Sequence, residues 1–71
     1  MKRFGEKLRR LRQKNGLTIR NLAAMLEIKS YSHIADMESG RSFPSVELLL
    51  KLADFFQVTT DQLLRDELEI E

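Results

Sequence analysis

Apolar residues recur along this chain at intervals of three and four, and no stretch alternates apolar with polar for long. The first pattern belongs to helices that bury one face, and the lack of the second speaks against strands. Five helices are expected. Phe4, Leu8 and Leu11 make one stripe and predict a helix from about Lys2 to Asn15. Lys2, Arg3, Lys7, Arg9, Arg10, Arg12 and Lys14 decorate its remaining surface, either as a solvated coat or with one or two of them on phosphate. Gly16 can adopt the positive φ that ends a helix. Thr18 caps a second helix over Ile19 to Leu26. Leu22, Ala23 and Leu26 point inward there, and Met25 sits at the core edge.

The turn Glu27-Ile28-Lys29-Ser30 leads to a third helix, about Tyr31 to Ser39, which Ser30 can cap. Ile34 and Met37 form its buried stripe, joined by Ile28. Tyr31, Ser32, Ala35 and Asp36 share the opposite face, and Gly40 ends the helix. Pro44 disfavours helix at Phe43. Ser45 then caps a fourth helix, Val46 to Phe56. Its expected stripe is Val46, Leu49, Ala53 and Phe56, widened by Leu50 and Leu52, with Leu48 and Phe55 at the edge, one or both of them surplus to the core. Thr59 and Gln62 have the spacing of a capping box for a fifth helix carrying Leu63 and Leu64 inward. The acidic end, residues 65–71, either extends that helix or frays.

Seventy-one residues make one small domain, which buries only about 60% of its unfolded surface. Without cysteine no disulfide or thiolate metal site staples it. No apolar run nears the ~18 residues that span a bilayer, and the N-terminus lacks the apolar block of a signal peptide. A soluble, cytoplasmic protein without membrane partners is expected. The net charge of +1 conceals an asymmetry. Residues 1–41 hold ten Lys/Arg and four Asp/Glu, a balance of +6; residues 42–71 hold two and seven, a balance of −5. That division fits a nucleic-acid-facing half and an outward half, or equally a bundle with unevenly charged solvated faces.

The landmarks Gly5-Glu-Lys-Leu-Arg-Arg-Leu-Arg, Asn15-Gly-Leu-Thr, Leu22-Ala23, Ile34-Ala-Asp-Met-Glu-Ser-Gly40, Pro44-Ser45, Leu49-Leu-Lys-Leu-Ala53 and Val58-Thr-Thr-Asp-Gln-Leu-Leu64 carry a resemblance to the Cro/C1-type, or XRE, helix-turn-helix family. Their order and spacing carry it, over residues 4 to 64. The resemblance implies an all-α fold: a compact five-helix lambda-repressor-like domain spanning 1–71, with the helix-turn-helix at about 18–39. It also implies a double-stranded DNA partner bound in the major groove, and homodimerisation through the C-terminal half. Leu48, Phe55, Leu64, Leu68 and Ile70 are the apolar candidates for that dimer surface, or else they complete the core. Two departures stand out. Ile19 occupies a position where the family often has Gln, and the inter-helix turn is one residue longer, as in a subset of the family, with Glu27 where a turn Gly is usual.

On that reading the third helix enters a groove about 12 Å wide. Lys29 and Ser30 lie at its N-terminal end, where free N–H groups favour phosphate. Tyr31 and Ser32 are the expected base readers. Arg20, near the capping Thr18, reaches phosphate in place of the missing Gln, and Arg41 resembles the family's backbone-binding position. Asp36 accepts from a cytosine amino group, pairs with Arg41 or Lys29, or is simply solvated. The candidate DNA-binding set is therefore Thr18, Arg20, Lys29, Ser30, Tyr31, Ser32, Asp36 and Arg41. His33, between the two faces, is a packing residue or touches phosphate. With one His, no Cys and no glycine-rich loop, no catalytic, cofactor or metal site can be assembled. The expected function is a sequence-specific transcriptional regulator, a repressor acting as a homodimer. The alternative is an interaction module or antitoxin component that keeps the fold, with a protein partner the sequence does not identify.

Overall fold

The computed structural model describes residues 1–71. Five helices follow in order: α1 (Phe4–Lys14), α2 (Ile19–Met25), α3 (Tyr31–Glu38), α4 (Val46–Phe56) and α5 (Thr60–Leu64). The fold is all-α, a five-helix lambda-repressor-like arrangement in which α2 and α3 form the helix-turn-helix. The starts of α2, α4 and α5 are set by the expected hydroxyl caps. Thr18 accepts from the Asn21 N–H at 3.0 Å, Ser45 from Leu48 at 3.1 Å and Thr59 from Gln62 at 3.0 Å. The return bonds from Asn21 and Gln62 make α2 and α5 full capping boxes. Gly16 and Gly40 take φ of +68° and +84° after α1 and α3. No side chain other than glycine's adopts that region without strain, apart from short polar ones.

One continuous core joins the expected stripes: Phe4, Leu8 and Leu11; Leu22, Ala23 and Leu26; Ile34 and Met37; Leu52 and Ala53; and Leu63. Three outer positions differ from expectation. Val46 and Leu50 remain 76% and 52% exposed, and Met25 57%. Helix α4 is rotated so that Leu52 and Ala53 face inward, flanked by Leu48, Leu49, Phe55 and Phe56. Leu48 and Phe55, one or both expected to be surplus, are thus partly in the core. An apolar-rich helix admits more than one such arc, and periodicity alone does not choose between them.

The acidic end neither extends α5 nor frays. It turns at Arg65 and runs back along α1, burying Ile70 in the core. Two reciprocal contacts hold it. The Asp66 carboxylate accepts from the backbone N–H of Lys2 and Arg3 at 3.0 and 2.9 Å, capping the start of α1. In return the fully buried Lys7 ammonium donates to the carbonyls of Gln62, Arg65 and Leu68 at 2.6–2.7 Å, capping the end of α5. Three donors meet three acceptors, so this charge is buried without an unmet hydrogen bond. Arg3 grips Glu69 at 3.0 Å, and Lys14 reaches Glu71 at 3.5 Å.

A second charged contact ties α1 to α3. The Glu38 side chain, 1% exposed, accepts from Arg12 at 2.7 Å and Arg9 at 3.3 Å. The hydrogen bond to Glu38 raises the already high pKa of Arg12, so the guanidinium keeps its charge. The same crossing depends on Gly5. A Cβ there would lie 2.6 Å from the carbonyl oxygens of both Met37 and Glu38.

Three expectations follow for stability. Gly5→Ala forces α1 and α3 apart, and thermal melting should register a loss of about 1–3 kcal/mol, the range for overpacking. Glu38→Ala strands Arg12 in a half-closed site and should cost about 3 kcal/mol, whereas the double change Arg12→Met, Glu38→Leu should recover most of it. The third concerns acid. Backbone N–H donors from Arg3 and Lys2 hold the Asp66 carboxyl below its usual range, and the Arg3 guanidinium does the same for Glu69. A carboxylate whose folded pKa is depressed contributes fully above its unfolded value, and the contribution disappears as pH falls towards the folded one. Melting temperature should therefore drop from just above the ordinary carboxylate range downward, and Asp66→Asn should flatten that drop.

Candidate nucleic-acid interface

Helix α3 is held at its far end, and its first turn faces outward. Ile34 and Met37 are fully buried and Glu38 is clamped to α1, while Tyr31 is 47% exposed and Ser30 and Ser32 are exposed. An eight-residue helix has little stability of its own, so its direction is set by these three contacts. The chain reaches it through a turn in which Glu27 adopts φ +57°. That left-handed residue sits where the sequence replaces the usual glycine. Behind it, the Ile28 N–H bonds the Ala23 carbonyl at 2.8 Å and the Ile28 side chain packs on the core. Ile19 is likewise partly buried against the core, so this departure from the family serves packing.

The exposed candidates fall into three groups. At the mouth of the turn Arg20, Lys29 and Tyr31 line one hollow floored by Ala23, Ala24 and Ile28. Within it the Arg20 guanidinium stacks 4.6 Å from the centre of the Tyr31 ring and donates to its hydroxyl at 3.2 Å. Sequence position suggests a separate task for each of these residues; only the fold brings together two positions eleven apart. Ser30 and Ser32 form the second group, their hydroxyl oxygens 2.6 Å apart. Ser30 was expected to cap α3, yet its side chain makes no capping bond; only its carbonyl accepts, from the His33 N–H at 3.2 Å. Its hydroxyl is turned to Ser32 instead. The third group lies further along α3, about 7–8 Å from Tyr31 at 1.5 Å per residue. There Asp36 pairs with Arg41 at 3.6 Å across the helix end. Of the uses open to Asp36, intramolecular pairing is the one seen in the free chain. Thr18 is exposed, with its hydroxyl engaged in the α2 cap.

His33 is half-buried beside Ile28, Ser45, Glu47, Leu48 and Lys51, where α3 meets the start of α4. The basic residues of α1 lie elsewhere and are largely engaged within the chain. Lys7 is on carbonyls and Arg9 and Arg12 on Glu38, while Arg3, Arg10 and Lys14 contact the acidic end. Their clustering was visible in the sequence, but most of their partners come from positions 26 to 66 residues away. Lys29 forms no ion pair and Arg20 is exposed, so two cations beside the helix-turn-helix are open to an anionic partner, as are Lys2 before α1 and Lys51 on α4, and Arg41 is exposed in its pair with Asp36.

Two short helices, a tight turn and an outward-facing N-terminal end define a helix-turn-helix protein. The family comparison agrees. The pattern of the helix-turn-helix family matches residues 8–63, and the chain belongs to that family, in its Cro/C1-type (XRE) branch. Among curated relatives, it is 41% identical over 59 residues to the HTH-type transcriptional regulator DdrOP3 of Deinococcus deserti, covering 83% of this chain and 45% of that protein. It is 42% identical over 64 residues to the HTH-type transcriptional activator BcrR of Enterococcus faecalis, covering 90% of this chain and 31% of that one. The chain thus spans less than half the length of these relatives. No solved structure matches it. No helix is long and apolar enough to cross a membrane.

The left-handed Glu27 supplies a direct test of the turn. Glu27→Gly removes a strained side chain at the expense of a freer unfolded state, and should leave the fold unchanged while raising stability by about 0.5–1 kcal/mol in denaturant titration. A loss on this substitution would mean that the turn does not adopt φ near +57°.

Proposed function

We infer that this chain binds double-stranded DNA through the major groove as a sequence-specific transcriptional regulator. The observation that carries it is the one above: α3 is anchored by Ile34, Met37 and Glu38 while its N-terminal turn is exposed, with the exposed cations Arg20 and Lys29 beside that turn. A helix held this way suits insertion into a groove, with its first residues at the base edges. Tyr31 and Ser32 present to the bases. Lys29, Ser30 and Thr18 lie along the phosphates at the near end, and Arg41 at the far end, released from Asp36 on binding. Phosphate contacts confer affinity and strong salt dependence; the contacts to base edges confer the sequence preference.

One head of this size covers few base pairs, so residues 1–71 act as a single reading domain within a homodimer. Its half-sites are about one helical turn, ~34 Å, apart. With Ile70 in the core and Leu64 half-buried, the apolar surface left to the C-terminal half is Leu68, at the turn after α5, Phe43 before α4, and Val46 and Leu50 on α4. Repression by occupying a promoter is the simplest outcome. Activation is the second reading, favoured by the name of one relative as a transcriptional activator. No residue cluster on the chain suits catalysis or a metal, and the protein works in the cytoplasm.

Selection of bound duplexes from a randomised pool, followed by anisotropy titration at two salt concentrations, tests this reading. Selected sites should show two-fold symmetry, and affinity should fall steeply with salt. Arg41→Ala should weaken binding to every sequence alike and reduce the salt slope by about one, whereas Ser32→Ala should alter preference at one or two positions. Salt-insensitive binding with no selected sequence would leave an interaction module as the better description.

A further inference from the structure

The Arg20–Tyr31 pair has a consequence beyond phosphate binding, and it rests on the reading of the chain as a DNA-binding regulator. Arg20 belongs to the first turn of α2, where an extended side chain would lie along the backbone of a duplex. It does not extend that way. The ring of Tyr31, the first residue of α3, draws the guanidinium to within 4.6 Å of its centre, and the phenol oxygen accepts from Nη2 at 3.2 Å. A guanidinium over an aromatic ring keeps its in-plane N–H groups available to other acceptors, and only Nη2 is engaged within the chain. Those donors then sit at the tip of the reading helix. The neighbouring hydroxyls of Ser30 and Ser32 share a hydrogen bond, which leaves one O–H between them, whereas the Arg20 guanidinium has several N–H groups beyond the one on Tyr31. Lys29, on the same rim, carries a point charge with no fixed fork.

We propose that Arg20 reads a guanine in each half-site, and that Tyr31 is the positioning residue that aims it. Guanine is the base whose O6 and N7 accept a paired donation from arginine in the major groove. The stack fixes the side chain in advance, so less rotational freedom is lost on binding. A residue that sequence alone assigns to the backbone becomes a determinant of specificity.

The test uses duplexes selected from a randomised pool by the unmodified chain, with binding measured on each selected site and on copies changed at single positions. One position in each half-site should be guanine, and its replacement should weaken the unmodified protein about tenfold or more. Arg20→Ala should bind the guanine site and its replaced copies equally well. Arg20→Lys should not restore the preference, because lysine lacks the fork. Tyr31→Phe keeps the ring and loses the acceptor, and should retain part of the preference. Tyr31→Ala added to Arg20→Ala should remove no further discrimination at that position. Both residues are exposed, and a thermal melt confirms that each variant folds. If Arg20→Ala weakens all sites by one factor and lowers the salt slope by about one, Arg20 is a phosphate contact and the inference falls while DNA binding stands. If the unmodified chain selects no sequence, both fall together.

Discussion

Everything at the candidate interface depends on the crossing of α1 and α3. Gly5 lets the two helices touch at the level of the α3 carbonyls, and Glu38 locks them there through Arg12 and Arg9. The two features act on the same degree of freedom. Close approach alone would allow α3 to slide along α1, since apolar contact is not directional. A buried carboxylate with two guanidinium partners fixes one position, because displacing it leaves an ionised group without its donors. Such pairs add little net stability compared with apolar packing; what this one provides is the angle of a helix too short to hold its own. The free end of α3 is exposed because the other end is fixed.

The same logic governs charge. An excess of +6 over residues 1–41 suggests a basic face, and most of that excess lies on α1. The fold directs these cations inward or towards the acidic end. Lys7 and Asp66 cap each other's helices, and Arg3, Arg10 and Lys14 face Glu69 and Glu71. What remains is a smaller set of cations, with Arg20 and Lys29 beside the tip of α3 and Lys2 and Lys51 apart from it. Charge asymmetry along a sequence is therefore a poor map of charge on a surface when the two ends of the chain meet, as they do here.

Helix boundaries, hydroxyl caps and the core stripes of α1, α2, α3 and α5 were legible because each depends on residues within one or two turns. The Thr59–Gln62 box and the Gly16 stop are of this kind. The rotation of α4 was not, since Val46, Leu50 and Leu52 are equally apolar and only the neighbouring helices choose among them. Nor was the role of Lys7, whose three acceptors lie 55 to 61 residues away. At the candidate site the residues were legible and their pairings were not. Asp36 and Arg41, five residues apart across a helix end, were weighed as partners; Arg20 and Tyr31, on different helices, were assigned separately.

The turn links these observations. Because Glu27 accepts a left-handed conformation, the chain reverses with Ile28 directed into the core and Lys29 outward. That reversal brings the first residue of α3 back beside the first turn of α2, which is the only reason Tyr31 meets Arg20. Ile19, one residue before Arg20, anchors the same turn of α2 to the core from below. A glutamine at that position would point a polar group at the packing that Ile19 now completes. The left-handed turn and the apolar Ile19 then belong together: one places the tip of α3 beside α2, and the other steadies the turn of α2 that meets it. Turn and anchor together set the Arg20–Tyr31 pair at the exposed tip.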